Sequence, residues 1–416
     1  MSGQLRSARA KPIVRELTRH LAASLQGDAA LGSGQLARAP TGLEYPFLHF
    51  PLAASQPQDI NCILGRLTSA PTSDDHFVLP PAAQALWDAD AARGRLFDRR
   101  TYRLGGVRRE QGVLKLDASI GRFRDSFLTQ DWLEREILLA VARRPADPPI
   151  ASFDAFLSGL PARGKLLERL AAAGLPASAL LEGTRFRSAA IAVAILLVFR
   201  DEAGAWRTPV RLRSPEGVSV HAAMFHVVPS GMFQPTVGEP AAQWDLYDLV
   251  FREFAEELFG ENFDEQEPAA YQEYPPIRLL RSLLTDPSQA SLQLLGYGYN
   301  VWNLRPEILL LLRIATPDWY RTHGLGDPPR RWRGAGYADC PLRFNDEFLP
   351  GDYPRFIPLC DPSGQPTPLE PMAEAFAEGL HVARIEPVGG DPFHPAHWVP
   401  SGAAAFWLGY KTRLPT

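Results

Sequence analysis

Eleven apolar residues run unbroken from Ala189 to Phe199 (AAIAVAILLVF), the longest such run in the chain. A bilayer-spanning helix needs about 20 residues, so this stretch is too short to cross a membrane as one. It stops at Arg200 and Asp201, as a buried strand does on meeting a turn. SLQLLGYGYNVW (Ser291 to Trp302) and PEILLLLRIA (Pro306 to Ala315) predict two more strands, and TPVRLRS and HAAMFHVVPSG predict shorter ones. A helix from Trp244 to Phe259 separates the two groups. Strands, a helix and strands again predict an α/β (α+β) unit, a mixed sheet sandwiched between helices. We place it at residues 186–416, with a C-terminal extension that includes the helix LEPMAEAFAEGL and a closing strand, AAAFWLGYK.

The remaining residues read as elaboration. Residues 1–45 hold an amphipathic helix (12–26) and a Gly/Ala-rich connector, Gly27 to Gly42. Residues 46–185 begin Pro-rich and irregular, with a weak strand in HFVLP (His76 to Pro80). They continue with two strands around a turn in TYRLGGVRREQGVLKLDASIG and a helix in LTQDWLEREILLAVARR, capped by Thr129. Two further helical stretches lie between Phe153 and Leu181.

A formal net charge of −4 argues against a global nucleic-acid-binding role. The basic N-terminal segment, with Arg6, Arg9, Lys11, Arg15 and Arg19, reads more simply as a surface helix than as a transit peptide or nucleic-acid arm. Cys62, Cys340 and Cys360 are too few and too scattered for a disulfide framework. No secretory apolar core is visible, so the cytoplasm is the expected compartment, with no membrane partner.

The stretch VFREFAEELFG (Val250 to Gly260) carries the chemistry. Tyr247, Val250, Phe251, Phe254 and Leu258 form one apolar stripe at helical spacing. Glu253, Glu256 and Glu257 fall at i, i+3 and i+4 on a second face, and Arg252 stands four residues before Glu256, within reach of an ion pair. Three like charges repel, and one helical ion pair recovers only about 0.2–0.5 kcal/mol. A divalent cation would relieve the repulsion, and Mg²⁺ favours such oxygen ligands. For the run in isolation, a solvated acidic face is the plainer account. Its context shifts the balance: just upstream, HVVPSGMFQP (His226 to Pro235) ends a strand in Pro-Ser-Gly. Gly231 there could adopt a conformation closed to other residues and let backbone approach a ligand or the helix.

A strand, a Pro-Ser-Gly loop and a helix bearing REFAEE resemble the Nudix hydrolase superfamily. Together with LLGYGYN and PEILLLL, the likeness covers about residues 188–315 and extends to a group of long bacterial Nudix-like proteins, some of them regulators. The resemblance implies that Glu253, Glu256 and Glu257 hold Mg²⁺ (or Mn²⁺) and that Arg252 orients a glutamate. It makes Gly231 the loop glycine, Glu307 a further ligand or general base, and Arg213 a neighbour of the substrate. It implies hydrolysis of the diphosphate in a nucleotide-like small molecule. The alternative is an inactive Nudix-fold nucleotide sensor or regulator. A homodimer is left open.

The chain departs from the family pattern. Gly231 and Arg252 are 21 positions apart where the pattern has 14, and its loop glutamate falls on Val237 or Trp244 depending on the direction of counting. Glu239 and Asp245 are nearby but out of register. For Glu307 alone, a surface carboxylate at a strand edge is the plainer reading, and for Arg213 an exposed strand arginine is a close rival. The spacing of His394 and His397 invites a zinc reading, with Cys340 or Cys360 to complete it, but there is no Cys-x-x-Cys partner and prolines interrupt the segment. The second VPSG, Val399 to Gly402, has no acidic helix after it. Trp244, Tyr247, Tyr297, Tyr299 and Trp302 are candidates for stacking on a ligand ring, most of them expected in the core.

Overall fold

The computed structural model describes residues 2–26, 31–52, 59–68, 80–94, 96–145, 149–181, 186–261, 270–323, 342–349, 356–412 and 414. Thirteen strands are found among them. From the first half come β1 (Gln35–Arg38), β2 (Glu44–Phe50), β3 (Leu64–Thr68), β4 (Arg100–Glu110) and β5 (Val113–Arg122). From the second come β6 (Ala192–Arg200), β7 (Trp206–Thr208), β8 (Val210–Leu212), β9 (Phe225–Val227), β10 (Ser230–Met232), β11 (Ala290–Asn300), β12 (Pro306–Ile314) and β13 (Ile357–Cys360).

The main sheet has the order β1-β2-β11-β12-β6-β7-β13, with β10 also pairing with β6. It is mixed: β12 runs parallel to β6, whereas β10 pairs antiparallel with β6 and β11 antiparallel with β12. Strand β6 is the long apolar run, and it is apolar throughout because both its faces are covered. Val193, Ile195, Leu197 and Phe199 join one buried cluster, with Ile308, Leu310 and Leu312 of β12. Ala194, Leu196 and Val198 join the cluster on the other face, with Leu309 and Leu311. The helix Leu246–Phe259 packs into the first cluster, and the helices Leu369–Val382 and Pro400–Lys411 pack into the second. This is an α/β architecture with helices on both faces of a mixed sheet.

Two expectations need correction. The closing segment AAAFWLGYK is helical, within Pro400–Lys411, because Pro400 sits at its first turn and nearly every residue from Pro400 to Gly409 is buried. Gly409 lets this helix lie against β6, since a Cβ there would fall 2.0 Å from Leu196 Cδ2. The connector Gly27 to Gly42 contains β1, and the main sheet recruits both β1 and β2 from ahead of residue 186.

Other readings hold. Helix Pro12–Ser24 forms, as does the hairpin β4–β5, in a second sheet of order β3-β5-β4. Helix Trp132–Arg143 forms behind a wider turn, Phe127–Asp131. Thr129 is no cap there; its hydroxyl donates to the Asp125 carbonyl at 2.7 Å. HFVLP is expected at residues that fall outside the described ones, apart from Pro80. No helix among the described residues is long and apolar enough to cross a membrane.

Candidate functional site

The acidic helix, Leu246–Phe259, is set at both ends by its sequence. Asp245 caps it, its carboxylate accepting from the Tyr247 amide at 2.8 Å. Gly260, at φ +65°, ends it in the left-handed conformation open to glycine. Asp245 is therefore spent on the cap and does not replace the missing loop glutamate. Of the two positions that the pattern assigns to that glutamate, Val237 is 44% exposed and Trp244 stacks on Phe233 at 4.8 Å.

Opposite the helix, β10 adds Ser230, Gly231 and Met232 to the edge of β6, with Gly231 across from Val193. On the other side of β6, Glu307 of β12 pairs with Ala192. Adjacent strands lie about 4.8 Å apart, so Glu307 and the Gly231 turn flank the start of β6 two strands apart. A cleft of about 670 Å³ opens there. Its walls include Arg213, Gly231, Glu253, Glu256 and Glu307, five of the seven residues singled out from sequence.

Gly231 is required by a close approach: a Cβ would lie 2.3 Å from Glu253 Cδ. Its φ is not in the left-handed region, so the special conformation expected of it is absent while the expected proximity to the helix is present. Arg252 is buried, donates to the Gln234 carbonyl at 3.0 Å, and brings Nη2 to 3.7 Å from Glu253 Oε1. Its ion pair thus runs to the neighbouring Glu253. Glu257 turns inward: it is buried, and it accepts the Ser230 amide at 2.7 Å. The three glutamates do not share one open face; Glu253 and Glu256 front the cleft and Glu257 ties the helix to the Pro-Ser-Gly loop behind it.

Electrostatics follow from burial. Desolvation, then the neighbouring Glu256 charge, push Glu253 up to about 8 against the pull of Arg252. Burial likewise raises Glu257 well above the usual carboxylate range, with Glu347 and Glu253 adding repulsion. Glu307 is only 5% exposed and lies on an interior strand, so the surface-carboxylate reading is overturned. Burial raises it to about 7, opposed by Arg305. Arg213 stands just past β8, mostly buried, and donates to Glu347 at 3.0 Å.

Sequence reasoning missed Glu347, Arg305, His226 and His221, which line the same cleft. Arg305 pairs with Asp131 and neighbours Glu307 in potential; a charged Arg-Pro-Glu opening an otherwise apolar strand was its available signal. Glu347 lies in an aperiodic segment that offers none. His221 Nε2 is 3.2 Å from the buried Glu134, which also accepts from Arg9 and, at 3.0 Å, from Asn300 and Asn303. The second VPSG also reaches the site: Val399 and Ser401 line the cleft, and Gly402 packs against His226.

The other candidates resolve as structure. His394 accepts the Ala396 amide and His397 accepts the Val388 amide, so both rings are used by backbone; Cys340 lies outside the described residues. Tyr297, Tyr299 and Trp302 are buried in the core. Carboxylates on the cleft have the hard-oxygen chemistry that suits Mg²⁺. Among the described residues, no group of three or more His, Cys, Asp or Glu side chains is gathered so as to hold a metal ion. No family model matches the chain, and no curated protein matches it.

Proposed function

We propose that this protein is a Nudix-type hydrolase, dependent on Mg²⁺ or Mn²⁺, that cleaves the diphosphate of a nucleotide-like small molecule. The observation that carries this reading is the convergence of Glu253, Glu256, Glu307 and Arg213 on one cleft beside Gly231. Mg²⁺ is commonly held by one or two carboxylates, waters and substrate phosphates. Glu253 and Glu256, backed by Glu257, offer that donor set. The bound ion would supply charge neutralisation at the phosphate oxygens and a more acidic water.

The chain's own residues would do the rest. Glu307, with its affinity for a proton near neutral pH, suits the role of general base. Arg213 and Arg305 bring guanidinium groups to the cleft, a geometry that matches phosphate oxygens. Arg252 braces Glu253, and the Ser230 amide holds Glu257 in place.

A second reading, a nucleotide-binding module without turnover, is favoured by the Glu257–Ser230 bond and by the absence of a loop glutamate in register. One experiment separates the two. A panel of sugar nucleotides and dinucleotides, with and without Mg²⁺, should yield phosphate-containing products only with the ion, and E256Q and E307Q should abolish release. Ligand-dependent thermal stabilisation with no product from any compound would instead establish the binding module.

A further inference from the structure

Resting on the reading of the cleft as a diphosphate site, we infer that Phe97 and Arg99 form a platform for a planar aromatic ring carried by the ligand. Phe97 is 61% exposed, the most exposed of the three large hydrophobic side chains that stand at the surface among the described residues, and it lines the cleft. An isolated exposed apolar residue needs no explanation. This one adjoins an apolar wall of the same cleft: Leu96, Phe123 and Val220 all line it and belong with Trp87, Phe127 and Trp132 to one apolar cluster. The site is thus charged where Glu253, Glu256 and Arg213 stand and apolar where the segment before β4 arrives. A ligand with an anionic part and a flat apolar part fits both.

The platform is fastened to the acidic half. Arg100 donates to the Thr236 carbonyl, and the Tyr102 amide donates to the Phe233 carbonyl at 2.9 Å. The segment they grip continues from Gly231, and its Gln234 carbonyl accepts from Arg252. Phe97 therefore sits a few residues from a strand held to the loop that cradles Glu253. Arg99 places its guanidinium 5.8 Å from the Phe97 ring centroid. With the guanidinium over one face of the phenyl ring, the ring's other face and the outer face of the guanidinium are surfaces on which a heteroaromatic ring can stack. Of the aromatics expected from sequence to take this role, Tyr297, Tyr299 and Trp302 are buried, Trp244 stacks on Phe233 and Tyr247 lies against Phe251, so the stacking surface comes from the N-terminal half of the chain.

The test measures binding of three probes to the full-length protein with Mg²⁺: ADP-glucose, UDP-glucose and 5-phosphoribosyl diphosphate, which has no aromatic ring. F97A should weaken both sugar nucleotides by about tenfold, the usual scale for one base–aromatic stack, and leave the ring-free probe unchanged. F97W should restore the loss. A larger loss for ADP-glucose than for UDP-glucose would identify a purine as the preferred ring, and equal losses a site that accepts either. The inference is overturned if F97A leaves the sugar nucleotides unaffected or weakens all three probes alike, while the diphosphate reading survives. If the wild-type protein binds none of the three, both fall. Because Phe97 is exposed, F97A should keep the wild-type Tm, which separates lost binding from lost folding.

Discussion

A methyl group added at Gly231 would meet Glu253 Cδ at 2.3 Å and both carboxylate oxygens at 2.5 Å. Ordinary contact needs roughly 3.5 Å, so the Gly231→Ala protein must move that carboxyl by about 1 Å. The obstacle is the far end of a flexible side chain, so the strain should sit at the low end for overpacking, about 1 kcal/mol. In a chain of 416 residues, with its large unfolding entropy, that lowers Tm by only about 1 °C. The site suffers more. A group misplaced by about 1 Å can lose on the order of a hundredfold in rate, and Glu253 would also part from Arg252. On the proposed reading, the assay is hydrolysis together with any rise in Tm that Mg²⁺ produces, for wild type, G231A, E253A and the double variant. Both readouts should collapse in G231A. In the E253A background there is no carboxyl left to displace, so adding G231A should change little. A fully active G231A, or effects of the two substitutions that add in full, would refute the argument that the glycine exists to admit this carboxylate.

Other expectations follow from burial. Glu253 ordinarily titrates near 4.5 and is raised to about 8 in the fold, so the folded state binds a proton there that the unfolded chain has released. Its contribution to stability therefore declines as pH rises from about 4.5 to about 8. The difference in Tm between E253Q and wild type should widen over that window in favour of E253Q, and a constant difference would contradict it. If Glu307 is the base, the wild-type rate should climb through about pH 7 to a plateau, and a rate flat across that range would contradict the assignment. Glu134→Gln should be the most damaging of these substitutions. It leaves Arg9 and His221 facing a neutral amide in a buried network, at a cost of about 3–5 kcal/mol, seen as a lowered midpoint in urea.

Much of the site was legible because its residues follow the periods of regular structure. The helix around Glu253 announces itself through its stripe and through Gly260, and strands β6, β11 and β12 through their apolar runs. The individual jobs of the three glutamates were not legible, because helical spacing fixes only which way side chains leave the axis. The inward turn of Glu257 depends on the Ser230 amide, which belongs to a different element. Glu347 and His221 come from aperiodic loops and enter the cleft only through tertiary packing. The closing helix misled for a related reason. AAAFWLGYK is apolar on every side because it is enclosed, and an enclosed helix and an enclosed strand look alike over nine residues.

Strand β2 has a further consequence. It pairs with β11 through Phe50 and Tyr297, while Tyr45 accepts from the Trp407 indole at 2.9 Å and donates to the Phe393 carbonyl at 2.7 Å. On a ribosome β2 has β1 beside it from the start but must wait for about 250 more residues before β11, its other neighbour, is made. Until then its apolar edge is uncovered and open to aggregation. Cutting the chain near residue 186 would give two fragments, neither able to complete the sheet. Fragments expressed together should regain solubility that neither has alone.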